Sequence, residues 1–137
     1  MTLLCSCSEK RAIGIINNQL NRCPGSPNCV SSSEPPDSIL YVAPIDSGTH
    51  LNIDAIAKII ITSAMKIPRV TLVTNDNHYL HFEFRTFLGF VDDVEFYIND
   101  TTQQIYFRSA SRIGYYDFKK NYNRYRKLKE SLEKALF

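Results

Sequence analysis

The chain has 137 residues, of which 44% are hydrophobic and 22% are charged, and its formal net charge is +2. This length allows one domain with a single core, and the composition is ordinary for a globular protein. So small a net charge argues against nucleic-acid binding by charge alone, and no apolar run is long enough to span a bilayer.

The N-terminus contains a pattern that is typical of lipidated proteins. Residues 4–7, LCSC, place an aliphatic residue, a free position and a small residue before Cys7, as in bacterial lipoproteins. A signal peptide also needs a basic and an apolar segment, and neither precedes this cysteine. One interpretation is a lipoprotein whose signal is encoded upstream of Met1, and the other is a short disordered N-terminus with chance cysteines. We favour the first and expect residues 1–22 to form a flexible tether.

Two further cysteines flank a turn sequence. The five residues between Cys23 and Cys29 include two prolines and a glycine, which favour a turn that brings the sulfur atoms together. A zinc site is the weaker interpretation, because no second pair of cysteines or histidines follows. A nucleophilic cysteine with a distant histidine has no support in the spacing. We predict a disulfide between Cys23 and Cys29, which implies an oxidising compartment.

The apolar periodicity predicts the remaining elements. A helix begins at the N-cap Asn52 and continues to about residue 66, after a polar connector at residues 31–38. Asp117 is placed to begin a basic final helix after a break at Gly114. Alternating apolar and polar residues predict five strands, at residues 39–45, 69–74, 78–85, 91–98 and 103–109.

The order of these elements predicts the fold class. We expect a single α+β domain spanning residues 23–137, in which two helices pack on one face of an antiparallel sheet of four to five strands. The other face, here called the second face, is then open and polar. If the turn before the last strand is symmetric, Asp93 lies opposite Arg108 and Glu95 lies opposite Tyr106 on this face.

The second face has three interpretations. The favoured one is a solvated surface whose cross-strand ion pairs contribute little to stability. Another is a binding surface on which Arg108 and Arg112 hold a carboxylate or phosphate, with tyrosines supplying flat apolar contact. The third is an acid–base or metal site built from His81, Glu83, Asp93 and Glu95. No HExxH motif or nucleophile elbow accompanies this cluster, so we rank an enzyme last.

The final helix concentrates the positive charge of the chain. Its favoured interpretation is a solvated outer face behind an apolar stripe. The alternative is contact with anionic lipid head groups, which suits an anchored protein. An oxidising compartment argues against nucleic acid as its partner. The basic residues are Lys119, Lys120, Arg124, Arg126, Lys127 and Lys129.

Three sequence signatures resemble those of one known family. They are CPGSPNCVSS at residues 23–32, FVDDVEF at residues 90–96, and RSASRIGY at residues 108–115 followed by Asp117, Asn121 and Arg124. In this order they resemble the domain of unknown function 1499, a family found in bacterial envelopes and in plastids, often with a lipoprotein or export signal. The resemblance implies an export compartment and a shared fold, and it brings no known activity.

Together these observations lead to one functional expectation. We expect an exported envelope protein, anchored as a lipoprotein on the periplasmic side through Cys7, that acts as a non-catalytic binding or accessory protein through its polar second face. A small hydrolase or metal-dependent enzyme is the alternative function, and a cytoplasmic location is the alternative if no upstream signal exists. The expected partners are a small anionic ligand or an envelope protein, and an anionic membrane surface through the final helix, without nucleic acid, cofactor or metal. The candidate binding residues are Arg108, Arg112, Asp93, Glu95, Tyr106, His81, Glu83, Tyr115, Asp117, Asn121 and Arg124.

Overall fold

A computed structural model describes residues 12–137, which form eight strands and two helices. The helices are α1 (Ile53–Met65) and α2 (Lys120–Leu136). The strands are β1 (Ile15–Ile16), β2 (Gln19–Leu20), β3 (Cys29–Ser31), β4 (Ile45–Asp46), β5 (Val70–Asn75), β6 (Tyr79–Arg85), β7 (Val91–Asn99) and β8 (Gln104–Ser111). Within the described residues, neither helix is both long enough and apolar enough to cross a bilayer. Cys7, the expected lipidation site, lies outside the described residues.

One antiparallel sheet organises the fold. Its strands follow the order β3-β8-β7-β6-β5, and β4 also pairs with β8. Strands β5 to β8 run as a meander, and every named pair is antiparallel. Both helices pack on one face of this sheet, so the predicted α+β class is confirmed. The sheet has six strands rather than four to five, and β1 and β2 form a separate hairpin.

The core lies between the two helices and the apolar side of the meander. Phe82, Phe96 and Phe107 cross the three central strands as a row of edge-on rings, with centroid distances of 5.9 Å and 5.2 Å. Burying each such ring contributes about 1.5–3 kcal/mol. Asn52 caps α1 as the sequence predicts, because its Oδ1 accepts the N–H of Ala55 at 2.9 Å.

Helix α2 begins later than the sequence suggests. Phe118 and Lys119 adopt left-handed φ angles of 53° and 61°, so the helix starts only at Lys120. Asp117 nevertheless caps it, since its Oδ2 accepts the N–H of Asn121 at 3.1 Å. Two residues in the left-handed conformation, Phe118 and Lys119, therefore separate the capping residue Asp117 from the first residue of α2.

The predicted strand at residues 39–45 is wrong. One isolated bridge joins Tyr41 to the sheet, and β4 covers only the end of this stretch. Its backbone turns locally, because the N–H groups of Ser38 and Tyr41 donate to carbonyls three residues earlier. Pro44 has no N–H to offer a neighbouring strand. The place beside β8 is taken instead by β3, whose three residues are too few for periodicity to reveal.

The turn between β7 and β8 is not symmetric about the expected centre. Asn99 is the last paired residue of β7 and lies opposite Gln104. Its Oδ1 accepts the N–H groups of Thr101 and Thr102, at 3.0 Å and 3.1 Å, and this turn closes over Gln103, which has a left-handed φ of 56°. The register between the two strands therefore differs by two residues from the predicted one.

The pairs predicted across the second face change accordingly. Asp93 does not lie opposite Arg108, and Glu95 does not lie opposite Tyr106, so both predictions are wrong. Arg108 lies opposite Glu95, and Tyr106 lies opposite Tyr97. The register thus brings an arginine directly beside a different carboxylate.

The hairpin of β1 and β2 covers the second face. Two asparagines form its turn in the left-handed conformation that such tight hairpins require. Leu20 is only 2% exposed and lies where β2 packs against β7 and β8, and the N–H of Gly14 donates to Glu95 Oε1 at 2.8 Å. Residues 14–20 therefore differ from the expected flexible tether, because they bury Leu20 and donate a hydrogen bond to a carboxylate of the sheet.

The disulfide between Cys23 and Cys29 is confirmed. It closes the segment that leads into β3, where Cys29 is fully buried. Replacing both cysteines by alanine should lower the free energy of unfolding by about 2 kcal/mol, because the small loop no longer restricts the unfolded chain. Urea unfolding without reductant measures this change.

Reductant supplies the control for that measurement. It should bring the parent protein to the stability of the double variant and leave the variant unchanged. Equal stability of the two proteins before reduction contradicts a stabilising role for this disulfide.

Candidate functional site

The polar residues of the second face are buried rather than open. His81, Asp93, Glu95 and Arg108 are exposed by only 3%, 4%, 0% and 4%. The prediction of a solvated, open face is therefore wrong for these residues. The physical reason is the hairpin, which lies over the face and supplies one of its hydrogen-bond donors.

Glu95 is the centre of one half of this buried network. Its Oε2 accepts from Arg108 Nη1 at 2.8 Å, and its Oε1 accepts from Tyr79 Oη and from the N–H of Gly14, both at 2.8 Å. Burial, together with the charge of Glu95, raises the pKa of Tyr79 far above its usual value, so the phenol remains a donor. Arg108 is thereby committed to a structural ion pair.

Asp93 is the centre of the other half. His81 Nε2 lies 2.8 Å from Asp93 Oδ1 and donates to it, because an ionised carboxylate can only accept. Arg112 contacts both oxygens of Asp93, at 3.0 Å and 2.8 Å, and also Glu83 at 2.7 Å. Burial alone raises the pKa of Asp93, but the hydrogen bonds from His81 and Arg112 outweigh it and hold the pKa well below its usual value. The bonds to Asp93 in turn raise the pKa of Arg112.

The enzyme alternative rested on the acidic residues of this face. Glu83, Asp93 and Glu95 each accept from an arginine, so their charges are already compensated. Within residues 12–137, no three His, Cys, Asp or Glu side chains are arranged to hold a metal ion. Tyr106, another candidate, donates to Gln104 at 3.1 Å. The ion pairs on this face therefore form a structural network that links β6, β7 and β8.

A second polar cluster lies on the helix side of the sheet, where α2 begins. Asp92 is fully buried and accepts from Arg124 Nη2 at 2.7 Å. Asn121 is also fully buried, and its Nδ2 donates to the carbonyl of Asn28 at 3.0 Å. Its Oδ1 accepts from Ser109 Oγ at 2.5 Å and from Arg124 Nη1 at 2.7 Å. These contacts fasten the first turn of α2 to the sheet.

This network, here called the signature cluster, joins all three sequence signatures. Its members are Asn28, Asp92, Ser109, Asp117, Asn121 and Arg124. Asn28 comes from the first signature, Asp92 from the second, and the other members from the third. Of the predicted candidates, the cluster brings together Asp117, Asn121 and Arg124, while Tyr115 is 71% exposed and joins neither network. The signatures therefore mark where β3, β7, β8 and α2 meet.

An open pocket of about 880 Å³ lies beside the signature cluster, between the end of α1 and the start of α2. Ile67, Phe84 and Leu128 give it an apolar lining. Phe87 and Phe118 also line it, although they are 87% and 84% exposed. The guanidinium of Arg124 lies 4.9 Å from the ring centre of Phe84, so the cluster and the pocket share a residue.

This pocket, here called the basic pocket, has six basic residues and one acidic residue among its lining residues. Lys120 and Arg124 pair with Asp92, at 3.0 Å and 2.7 Å. The other four basic residues have no carboxylate within ion-pair distance in the described part of the chain. Asp117 is the one acid among the described lining residues, and it accepts hydrogen bonds from Lys119 and Asn121. The basic lining residues are Lys66, Arg69, Arg85, Lys120, Arg124 and Lys127.

Sequence reasoning missed the basic pocket. Lys66 follows α1, Arg69 precedes β5, and Arg85 is the last residue of β6. Because they come from three separate elements, no periodicity or motif connects them. Only the residues on α2 belonged to a predicted feature, the basic final helix. The available signal was Phe87 and Phe118, two large apolar residues in short loops where no element needs them for the core.

The fold and the signature cluster define a class of protein: a small disulfide-bonded α+β domain whose last helix is fastened to an antiparallel sheet by buried polar residues. The family model described as "Protein of unknown function (DUF1499)" matches residues 19–132, and the chain belongs to this family. A search of curated proteins and a search of solved structures each found no match.

The buried pair of Arg108 and Glu95 gives a stability prediction. Arg108→Ala leaves Glu95 as an uncompensated buried charge, which should lower the free energy of unfolding by roughly 3–5 kcal/mol. A urea titration monitored by circular dichroism measures this loss of stability. Lys134→Ala is the control, because Lys134 and Glu130 form an exposed pair on α2, and it should leave stability unchanged. Equal stability of both variants contradicts the structural role of Arg108.

The low pKa of Asp93 gives a pH prediction. A carboxylate with a depressed folded-state pKa stabilises the fold above its ordinary pKa of 3.8, and this stabilisation is lost as the pH falls below that value. The free energy of unfolding should therefore decline below pH 3.8. The Asp93→Asn variant should have a lower free energy of unfolding at neutral pH, and this free energy should decline less steeply in acid than that of the parent. Parallel curves for the two proteins contradict the assignment.

Proposed function

We propose that this protein is a non-catalytic binding protein whose ligand is an anionic amphiphile held in the basic pocket. The observation that supports it best is the excess of positive charge in the lining, which contains six basic residues and one acidic residue beside an apolar wall. Pockets that bind small molecules combine apolar lining with a few polar groups that fix orientation. Here six of the seven charged lining residues are cationic, so the complementary ligand group is a phosphate or carboxylate.

The unpaired cations support a ligand rather than a structural role. Arg69 Nε donates to the carbonyl of Arg85 at 3.2 Å, and Arg85 Nη1 donates to the carbonyl of Gly89 at 3.2 Å. Each guanidinium is thus positioned by one backbone contact and keeps other N–H donors available. Fixed donors bind an anion with a smaller loss of side-chain entropy than mobile ones. Lys66 and Lys127 add charge from the two helices.

The apolar lining supports a ligand with an apolar portion. Phe87 and Phe118 line the pocket yet remain largely exposed, and Ile67 and Leu128 lie with them. A free phosphate ion makes no use of such a surface. An amphiphile contacts both parts, with its charged group among the basic residues and its chain against the rings.

We also propose that the protein works in an oxidising compartment of the cell envelope. The disulfide between Cys23 and Cys29 supports this location, because such bonds are uncommon in reducing cytosol. The lipoprotein-like pattern before Cys7 supports an anchored form. A binding protein held near a membrane meets amphiphilic ligands at high local concentration.

Ligand selectivity tests the proposed function. Dodecyl phosphate, below its micellar concentration, should bind more tightly than inorganic phosphate, which lacks the chain, and than dodecylphosphocholine, which is zwitterionic. Isothermal titration calorimetry of the full chain measures all three. Lys66→Glu and Lys127→Glu should each weaken binding of dodecyl phosphate about tenfold, because each reverses a charge that faces the anion.

The matched control is Lys58→Glu, which makes the same reversal at an exposed position of α1 outside the pocket. Its affinity should equal that of the parent. If dodecyl phosphate does not bind, or if all three variants bind it equally, the proposed function is wrong.

A further inference from the structure

The exposed apolar residues of this protein are concentrated in one place. Of the thirteen large apolar residues that are exposed in the described chain, seven lie in two loops, at residues 86–90 and 113–118. Large exposed apolar patches mark sites of interaction, whereas single exposed residues need no explanation. The seven residues are Phe87, Leu88, Phe90, Ile113, Tyr115, Tyr116 and Phe118.

The two loops form one continuous surface, here called the loop surface. Phe87 and Phe118, one from each loop, line the basic pocket together. Phe90 and Tyr116 line a second depression next to it. The rings of Tyr116 and Phe118 lie 5.1 Å apart. Five of the seven apolar side chains therefore line two adjoining depressions, which share Asp117 and Lys120.

The backbone of the second loop holds Phe118 outward. Phe118 has a left-handed φ of 53°, which is unfavourable for a bulky side chain. Lys119 follows in the same conformation, and its N–H donates to Asp117 Oδ1 at 3.0 Å. The chain thus adopts a strained conformation and leaves this ring 84% exposed. Such strain is typical of functional positions.

The charge around the loop surface is predominantly positive. Loop 86–90 contains no charged residue, and Asp117 is the one acid of loop 113–118. Its carboxylate accepts hydrogen bonds from Lys119 and Asn121. The neighbouring pocket supplies six basic residues. Apolar side chains flanked by lysine and arginine complement the interface of an anionic bilayer, with its acyl chains below and its phosphates above.

We propose that the loop surface docks the protein on an anionic phospholipid bilayer and places the basic pocket at the level of the head groups. The aromatic residues favour this occupant, because tyrosine rings suit the boundary between head groups and acyl chains and phenylalanine rings insert into the apolar side of that boundary. The inference rests on the proposed function, because it names the bilayer as the source of the amphiphile. Docking involves the whole loop surface, whereas ligand selection involves the pocket, and Phe87 and Phe118 belong to both.

Flotation with lipid vesicles tests the docking. The full chain should float with vesicles of phosphatidylcholine mixed with phosphatidylglycerol and remain behind with phosphatidylcholine alone. Binding should weaken as salt is raised, because screening reduces the attraction to the anionic lipid. Failure to float with the mixed vesicles overturns the inference.

Variants of the loop surface test which residues insert. Phe87→Ser and Phe118→Asn should each weaken vesicle binding about tenfold, because each removes an apolar side chain that leaves water on docking. Asparagine tolerates the left-handed conformation at residue 118, so the backbone should be retained. Ile16→Ser is the matched control, since Ile16 is an exposed apolar residue on the hairpin, and it should bind like the parent. Unfolding curves verify that all variants fold.

Two results separate this inference from the proposed function. Leu88→Ser changes an exposed residue of the loop surface that does not line the pocket. If this variant weakens vesicle binding but retains the affinity for dodecyl phosphate, docking and the pocket are both supported as distinct features. If the loop variants bind vesicles as the parent does, the loop surface is not the docking surface, whatever the pocket binds. A concentration-dependent dimer that the loop variants abolish, seen by light scattering, assigns the surface to a second copy of the chain and overturns the inference.

Discussion

Three buried carboxylates on one strand constrain this structure. Asp92, Asp93 and Glu95 of β7 are exposed by at most 4%, and an ionised carboxylate without a partner is too costly to bury. Because neighbouring side chains of a strand point to opposite faces, Asp92 requires cations on the helix side, while the other two require them on the second face. Asp92 pairs with Arg124 of α2, Glu95 with Arg108 of β8, and Asp93 with Arg112 just after β8. The position of the last helix and the register of the last strand both agree with this rule.

That rule also divides the basic residues into two groups. Arg108, Arg112 and Arg124 hold buried carboxylates and belong to the architecture. Lys66 and Lys127 gather around the pocket without acidic partners in the described chain, where their mutual repulsion opposes folding. The proposed anionic ligand would relieve that repulsion on binding. Its affinity and the stability of the fold would then be linked, as they are for any ligand that binds only the folded state.

Local physics explains what the sequence predicts well. The cap at Asn52, the apolar stripe of α2 and the alternation in the four meander strands all depend on near neighbours, and the structure contains each of them. The register of β8 depends on Asn99, whose side chain moves the turn by bonding to the following backbone. The burial of the second face depends on a hairpin far away in sequence, which contacts Glu95 through Gly14. The pocket depends on cations from separate elements, so sequence patterns do not reveal it.

The signature residues and the proposed binding residues have different tasks. Asn121 bonds in the interior to Ser109 Oγ and to the backbone carbonyl of Asn28, so its amide group serves to hold the fold together. The sequence signatures of this chain therefore correspond to its scaffold rather than to an open site. Under the proposed function, selectivity for a ligand would come mainly from exposed lining residues outside the signatures, such as Lys66 and Phe87. Substitution there would change the proposed binding surface without disturbing the buried charges, because neither residue pairs with a buried carboxylate in the described chain.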